Sequence, residues 1–279
     1  MHLSFEFFPP KDEAQAESLR RARQRLLPLN PEYVSVTFGA GGSTRSRTVV
    51  TALDIQREDG VPVAPHISCM SEDLDSIREL LETYHQAGIK RLVVLRGDRP
   101  SGRRSGVFDY ASDLVRYIRQ HWEARFQIEV ACYPEHHPES ESPRSDLAHF
   151  RAKVAAGADG AITQYFFNAD GYFRFVEEAR DLGVTVPIVP GIMPITNYKG
   201  LSRFSDLCGA ELPSWIAKRL QCWDQAGDTA SLQAFGEEVV SELCRRLLEG
   251  GAPGLHFYTL NRAAPVLALC RNLGRGAAA

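Results

Sequence analysis

Near the start of the chain a carboxylate interrupts an apolar run, Leu3-Ser-Phe-Glu-Phe-Phe-Pro-Pro10. Side chains alternate along a strand, so Leu3, Phe5 and Phe7 share one face and Ser4, Glu6 and Phe8 the other. If the apolar face packs against helices, Glu6 projects into the centre of the fold. A carboxylate there with no charged partner is driven towards its protonated form by desolvation, and that makes a general acid. A Glu on a solvated edge strand, or one paired with a buried Arg, is the ordinary alternative.

Other polar residues gather where later apolar runs end: Ser35-Val-Thr-Phe-Gly39, Pro65-His66, Leu95-Arg-Gly-Asp98, Ala131-Cys-Tyr-Pro-Glu-His-His-Pro138 and Thr163-Gln-Tyr-Phe166. Taken singly, His66 reads as a core histidine, Arg96 with Asp98 as an ion pair and Tyr133 as packing. Together these ends read as one site. Asp146, His149 and Lys153 fall at i, i+3 and i+7, on one side of a helix; by spacing alone this reads as a solvated helix face, although a basic group there could meet a pyrophosphate. A metal-assisted hydrolase or lyase built on His66, His136, His137 and His256 is a different reading. It is weakened because adjacent His136 and His137 point opposite ways in an extended segment and no His-x-His follows the first strand. A non-catalytic binding barrel would leave Glu6 unexplained.

The elements that must position these residues are β-rich runs at 3–8, 33–37, 64–69, 91–96, 127–133, 161–166, 187–193 and 254–260. Helical spacing lies between them, at 14–27, 44–57, 71–88, 111–122, 146–156 and 172–182, with Ser71 as the expected cap of the third. Eight strand–helix units predict an α/β fold, a (β/α)8 TIM barrel, whose sites form at the C-terminal ends of the strands. An open doubly wound sheet would want a Gly-rich turn after the first strand, where this chain has Pro9-Pro10-Lys11. The Gly-rich turn after the second, Gly39-Ala-Gly-Gly-Ser-Thr44, has neither dinucleotide nor Walker spacing. The stretch 213–251, helical without a strand, predicts an extra helical segment before the last strand, and 1–279 reads as a single catalytic domain.

Composition narrows the partners. A net charge of -3 and a pI near 6.3 give no basic footprint, so no nucleic acid and no membrane partner is expected, and small molecules are. No run is long and apolar enough to span a bilayer and no secretory leader is visible, which predicts a cytoplasmic protein. The six cysteines contain no C-x-x-C pair and read as reduced core residues.

The motifs Phe5-Glu-Phe-Phe-Pro-Pro10, Val34-Ser-Val-Thr-Phe-Gly39, Ala64-Pro-His66, Leu95-Arg-Gly-Asp98, Tyr133-Pro-Glu, His137-Pro-Glu139, Ile162-Thr-Gln-Tyr-Phe166, Pro190-Gly-Ile with Pro194, and His256-Phe-Tyr-Thr-Leu-Asn-Arg262 stand in order without large gaps. In this series the chain resembles the methylenetetrahydrofolate reductases of the compact bacterial type. The resemblance implies a flavoprotein that holds FAD and passes electrons, by a ping-pong route, from NADH or NADPH to 5,10-methylenetetrahydrofolate. It makes Glu6 the acid and Asp98 a second catalytic carboxylate. It also makes Thr37, His66, Arg96, Gly97, Asp98, Tyr110, Ala111, Ala131, Tyr133, His137, Asp146, His149 and Lys153 cofactor contacts, and places Gln164, Phe204 and Arg262 on the folate. No metal is implied, and a homo-oligomer is. Ala152 stands where the family has an Arg, His149 where an Asn is common, and Phe38 replaces a Tyr. The domain through which longer relatives respond to S-adenosylmethionine has no counterpart in this sequence, so that feedback is not expected.

Overall fold

A computed structural model describes residues 2–38, 42–69, 73–97 and 106–276, with backbone alone at 42–45. In β1 (His2–Phe7), Leu3, Phe5 and Phe7 enter the layer between strands and helices while Ser4 and Glu6, also buried, face the opposite way. A strand covered on both faces belongs inside a parallel sheet. Its neighbours are β2 (Tyr33–Val36) and β9 (Gly254–Tyr258), both parallel to it.

The sheet continues through β3 (Val63–Ser68), β4 (Arg91–Leu95), β5 (Gln127–Cys132) and β6 (Gly160–Thr163) to β7 (Ile188–Val189), while β9 is flanked on its far side by β8 (Gly191–Ile192). β7 and β8 are the two halves of one strand broken at Pro190. One half pairs with β6 and the other with β9, so nine parallel segments make eight staves of a (β/α)8 barrel. Pro190 has no N–H to give, yet its carbonyl still accepts from His256 N–H at 3.0 Å. Beside it, Gly191 N–H reaches Thr163 Oγ1 at 2.9 Å, and the Tyr258 hydroxyl donates to the Thr163 carbonyl at 2.6 Å. A Cβ on Gly191 would lie 2.2 Å from that carbonyl oxygen and 2.6 Å from the Tyr258 ring. The seam closes there because the residue has no side chain.

The helices that cover the staves are α1 (Glu13–Leu26), α2 (Gly42–Asp59), α3 (Leu74–Gln86), α4 (Ala111–Trp122), α5 (Pro143–Ala155) and α6 (Ala169–Asp181), followed after β8 by α7 (Tyr198–Cys208), α8 (Ser214–Ala226) and α9 (Thr229–Glu249), and by α10 (Ala263–Asn272). The expected helical segment before the last strand is α8 and α9. Two boundaries differ from expectation. Asp73, not Ser71, caps α3 by accepting from Ser76 N–H at 2.6 Å, and Ser71 lies outside the described residues. α5 begins at Pro143, capped by Ser142, whose hydroxyl accepts from Ser145 N–H at 3.1 Å.

The N-terminal end of the barrel is plugged by charge. Arg91 reaches Glu129 at 3.1 Å and Glu32 at 2.6 Å, and its guanidinium carbon sits 4.2 Å over the Tyr33 ring. Burial pushes the Glu129 carboxyl up to about 7 even though Arg91 pulls the other way. Above the plug Tyr33, Ala64, Val93 and Ile162 fill the interior, with Leu95 packed against them. The polar residues above that layer are left to the other end, the mouth.

Candidate active site

Strand register decides which side chains meet at the mouth. Parallel pairing puts Glu6 beside Ser35 of β2 and Tyr258 of β9, and Ser4 beside His256. His66 comes from β3. Three groups close on a single oxygen of Glu6: its Oε2 lies 3.3 Å from His66 Nε2, 3.6 Å from His256 Nε2 and 3.5 Å from the Ser35 hydroxyl that donates to it. His256, fully buried, shares a 2.7 Å hydrogen bond with Ser4 through Nδ1. From behind, Thr259 Oγ1 donates to the Glu6 carbonyl at 2.6 Å and fixes the backbone that carries the carboxylate.

This cluster changes the expected state of Glu6. Burial does push its carboxyl up, but the close approach of His256 and His66 outweighs burial and holds it at about 2. A lone buried carboxyl would be a neutral acid; this one is held as a carboxylate. Both imidazole Nε2 atoms are buried without an aligned hydrogen-bond partner among the described residues. Each is therefore ready to donate or accept.

A shelf runs from this centre along the ends of β2 to β5. Thr37, just past β2, gives its N–H to the Phe7 carbonyl at 3.0 Å and accepts the Thr48 hydroxyl at 2.8 Å. Past β4, Arg96 pairs with Glu139, and Gly97 turns the chain with a φ of 83° that few other residues tolerate. Asp98 lies outside the described residues. On β5 the side chain of Ala131 is only a methyl, and Tyr133 stands edge-on to His137 with centroids 4.7 Å apart. Small residues, Gly97 and Ala131, thus stand among polar ones along this shelf.

The expected face of α5 is arranged around the same loop. Asp146 accepts from His137 N–H at 2.9 Å, the exposed His149 stacks on Tyr110 with centroids 5.2 Å apart, and Lys153 Nζ donates to the Ala131 carbonyl at 2.5 Å. Burial pulls the Lys153 ammonium down from its ordinary value. Asp146 and Lys153 thus hold the shelf from beneath, and Tyr110 with buried Ala111 opens α4 beside them. Gln164 follows β6, the exposed Phe204 is on α7 and the exposed Arg262 precedes α10, so all three stand after strands at the same end of the barrel.

The methylenetetrahydrofolate reductase family profile matches residues 1–274. The chain belongs to this family. It is 38% identical to 5,10-methylenetetrahydrofolate reductase of Escherichia coli (strain K12) over 98% of this chain and 91% of that one. It is also 38% identical to methylenetetrahydrofolate reductase (NADH) 1 of Arabidopsis thaliana, again over 98% of this chain but only 48% of the plant protein. In fold it is similar to an uncharacterized protein from Clostridium thermocellum that binds two copies of 5-methyl-5,6,7,8-tetrahydrofolic acid, with a TM-score of 0.62, 17% identity and coverage of 97% and 93%. Dihydropteroate synthase from Xanthomonas albilineans shares the fold at a TM-score of 0.52, with 12% identity and coverage of 98% and 92%.

For a methylenetetrahydrofolate reductase, the residues that sequence reading passed over are Ser4, Tyr258 and Thr259, and the part His256 plays. Ser4 carried a signal, since it shares the inner face with Glu6. In sequence His256 reads as a candidate metal ligand and as the first residue of the motif His256–Arg262, because nothing local to it says that β9 lies against β1. Among the described residues no group of three His, Cys, Asp or Glu is placed to hold a metal ion, and no helix is long and apolar enough to cross a membrane.

Proposed function

We propose that the chain reduces 5,10-methylenetetrahydrofolate to 5-methyltetrahydrofolate, with a nicotinamide as donor and FAD on the shelf at the ends of β2 to β5. The observation that carries this reading is the Glu6 carboxylate held between His66 and His256 in the mouth of the barrel. Membership of the family supports the reaction, and the name of the plant relative supports NADH as the donor. Bound on the shelf, FAD would take a hydride from the nicotinamide and hand one to the folate in a second, separate step.

Thr37, Arg96, Gly97, Ala131, Tyr133 and His137 would line the ring, His66 would offer it a buried Nε2, and Tyr110, Ala111, Asp146, His149 and Lys153 would carry the remainder of the dinucleotide. Asp98, next after Gly97 in sequence, would add negative charge there. Gln164, Phe204 and Arg262 would orient the folate.

The chain's own contribution to chemistry is a proton. The methylene carbon bridges two nitrogens, and it becomes a hydride acceptor only when the bond to one of them breaks to leave an iminium cation. The departing nitrogen takes a proton as it leaves. Oε1 of Glu6 is engaged by none of the three groups on Oε2 and is the oxygen to face that nitrogen. A proton taken up at this cluster passes through the Glu6 carboxyl to the nitrogen, with His66 and His256 beside that carboxyl and Ser4 holding the His256 ring in place. Hydride then adds to the iminium carbon and completes the methyl group.

Stopped-flow measurement of the two halves tests this reading. Glu6→Gln keeps the shape of the side chain and should be reduced by NADH at close to the parent rate. It should then lose ~10²- to 10⁴-fold in reoxidation by methylenetetrahydrofolate. Equal slowing of both halves would assign Glu6 to the fold, and no effect on either would remove it from the chemistry.

A further inference from the structure

α7 has little apolar hold of its own. Of its 11 residues only Leu201 and Ser205 are buried, and Phe204, beside Ser205, is exposed at the mouth end of the barrel. With so little area buried, one or two hydrogen bonds weigh heavily in where such a helix rests.

Two such bonds are in place. Within the helix the Ser205 hydroxyl lies 3.1 Å from the hydroxyl of buried Tyr165, just past β6. Beyond its end the chain turns at Gly209, φ 70°, against the loop that follows β5: a Cβ at Gly209 would lie 2.8 Å from the His136 carbonyl oxygen and 2.9 Å from the Pro138 ring. Past that turn, Glu211 N–H donates to Glu135 Oε2 at 2.7 Å. A helix bonded at Ser205 alone can swing about that point; the second bond, beyond its last turn, removes the swing.

We infer that Glu135 is a positioning residue that seats α7 through Glu211 and so sets where Phe204 meets the folate, an inference that rests on the folate reading above. Glu135 stands between Tyr133 and His137, so the short loop that borders the cofactor shelf also fixes the helix that carries Phe204. Burial pushes the Glu135 carboxyl up to about 7, although the Glu211 N–H it accepts pulls the other way. Ionised or neutral, the group keeps an oxygen that can accept, and a glutamine keeps one too. The bond, not the charge, is what α7 requires.

Stopped-flow reoxidation of the reduced, flavin-loaded protein by methylenetetrahydrofolate, read as a half-saturating concentration and a limiting rate, decides it. Glu135→Leu fills the space without accepting, and should raise the half-saturating concentration about tenfold with limiting rate and flavin content unchanged. Glu135→Ala should do the same and reads the loss without the bulk of leucine. Glu135→Gln should stay within about twofold of the parent. In a Phe204→Ala background Glu135→Leu should add nothing. Half-saturation unmoved in both the leucine and the alanine variants, a fall in limiting rate in its place, loss of flavin in step with the loss of affinity, a glutamine variant as weak as the leucine one, or effects that multiply in the double variant would each overturn the inference and leave the folate reading intact. A reduced parent that methylenetetrahydrofolate does not reoxidise overturns the folate reading itself, and this inference with it.

Discussion

Asn261 completes β1 from the opposite end of the chain: its side-chain amide accepts from Phe8 N–H at 2.9 Å and donates to the Phe8 carbonyl at 3.0 Å. One side chain thus does for Phe8 what a neighbouring strand would do. Its own backbone lies in the left-handed region at φ 58°, directly after Leu260 at φ 50°. Glycine relieves that backbone and keeps neither bond, so Asn261→Gly isolates the amide. The variant should lose ~1–3 kcal/mol in urea denaturation and slow the folate half-reaction more than reduction by NADH. A variant as stable as the parent and equally fast in both halves would deny Asn261 any part in placing Glu6.

The two buried carboxylates of the barrel interior should give opposite pH slopes. Glu6 titrates at about 2 in the folded protein against an ordinary 4.5, so the unfolded chain binds more protons through that interval. Its stabilisation is present above pH 4.5 and is lost as pH falls towards 2; the difference corresponds to about 3 kcal/mol. Glu6→Gln should therefore be less stable than the parent at pH 6, with the gap narrowing below pH 4.5 and closing only as pH falls past 2. Glu129, pushed up to about 7, works the other way: its contribution is present below pH 4.5 and fades as pH rises through 7. Glu129→Gln should compare better with the parent at pH 8 than at pH 4. Gaps that do not move with pH would contradict both assignments.

Gly191 should tolerate no side chain. Gly191→Ala drives a methyl into the Thr163 carbonyl and the Tyr258 ring at the seam, and should cost ~1–3 kcal/mol or more. Gly171→Ala is the control: it lies within α6, where nothing stands within 4 Å of the added Cβ, and should gain ~0.5–1 kcal/mol. Thermal unfolding of the two variants reads the contrast directly, and similar melting temperatures would remove the seam from the account of stability.

The legible part of this fold was the part written locally. Alternation in β1 put Ser4 and Glu6 on the inner face, and α4 spans the residues its apolar spacing picks out, Ala111–Trp122. α5 read a turn short because its first turn, Pro143 to Ser145, buries nothing and so leaves no periodicity, although Ser142 before Pro143 was a capping signal. α7 went unread: Asn197 caps it, but it buries only Leu201 and Ser205, too little to make a stripe. The state of Glu6 could not be read at all, since it depends on His256, which enters the site through a strand pairing that no short-range pattern specifies.

That pairing has a consequence for how the molecule is made. The hydrogen bond between Ser4 and His256 joins positions 252 residues apart. During synthesis Glu6 and His66 leave the ribosome long before His256, the second histidine that governs the charge of Glu6. Strands β2 to β5 can pair with their neighbours long before then, but the first stave must wait, one flank uncovered, for β9. A nascent or clipped chain without β9 therefore offers an open edge and an acid with one of its histidine partners missing, both in the same stretch of backbone. Proteolysis or a chaperone acting on that edge would clear chains in which the surroundings of Glu6 are incomplete.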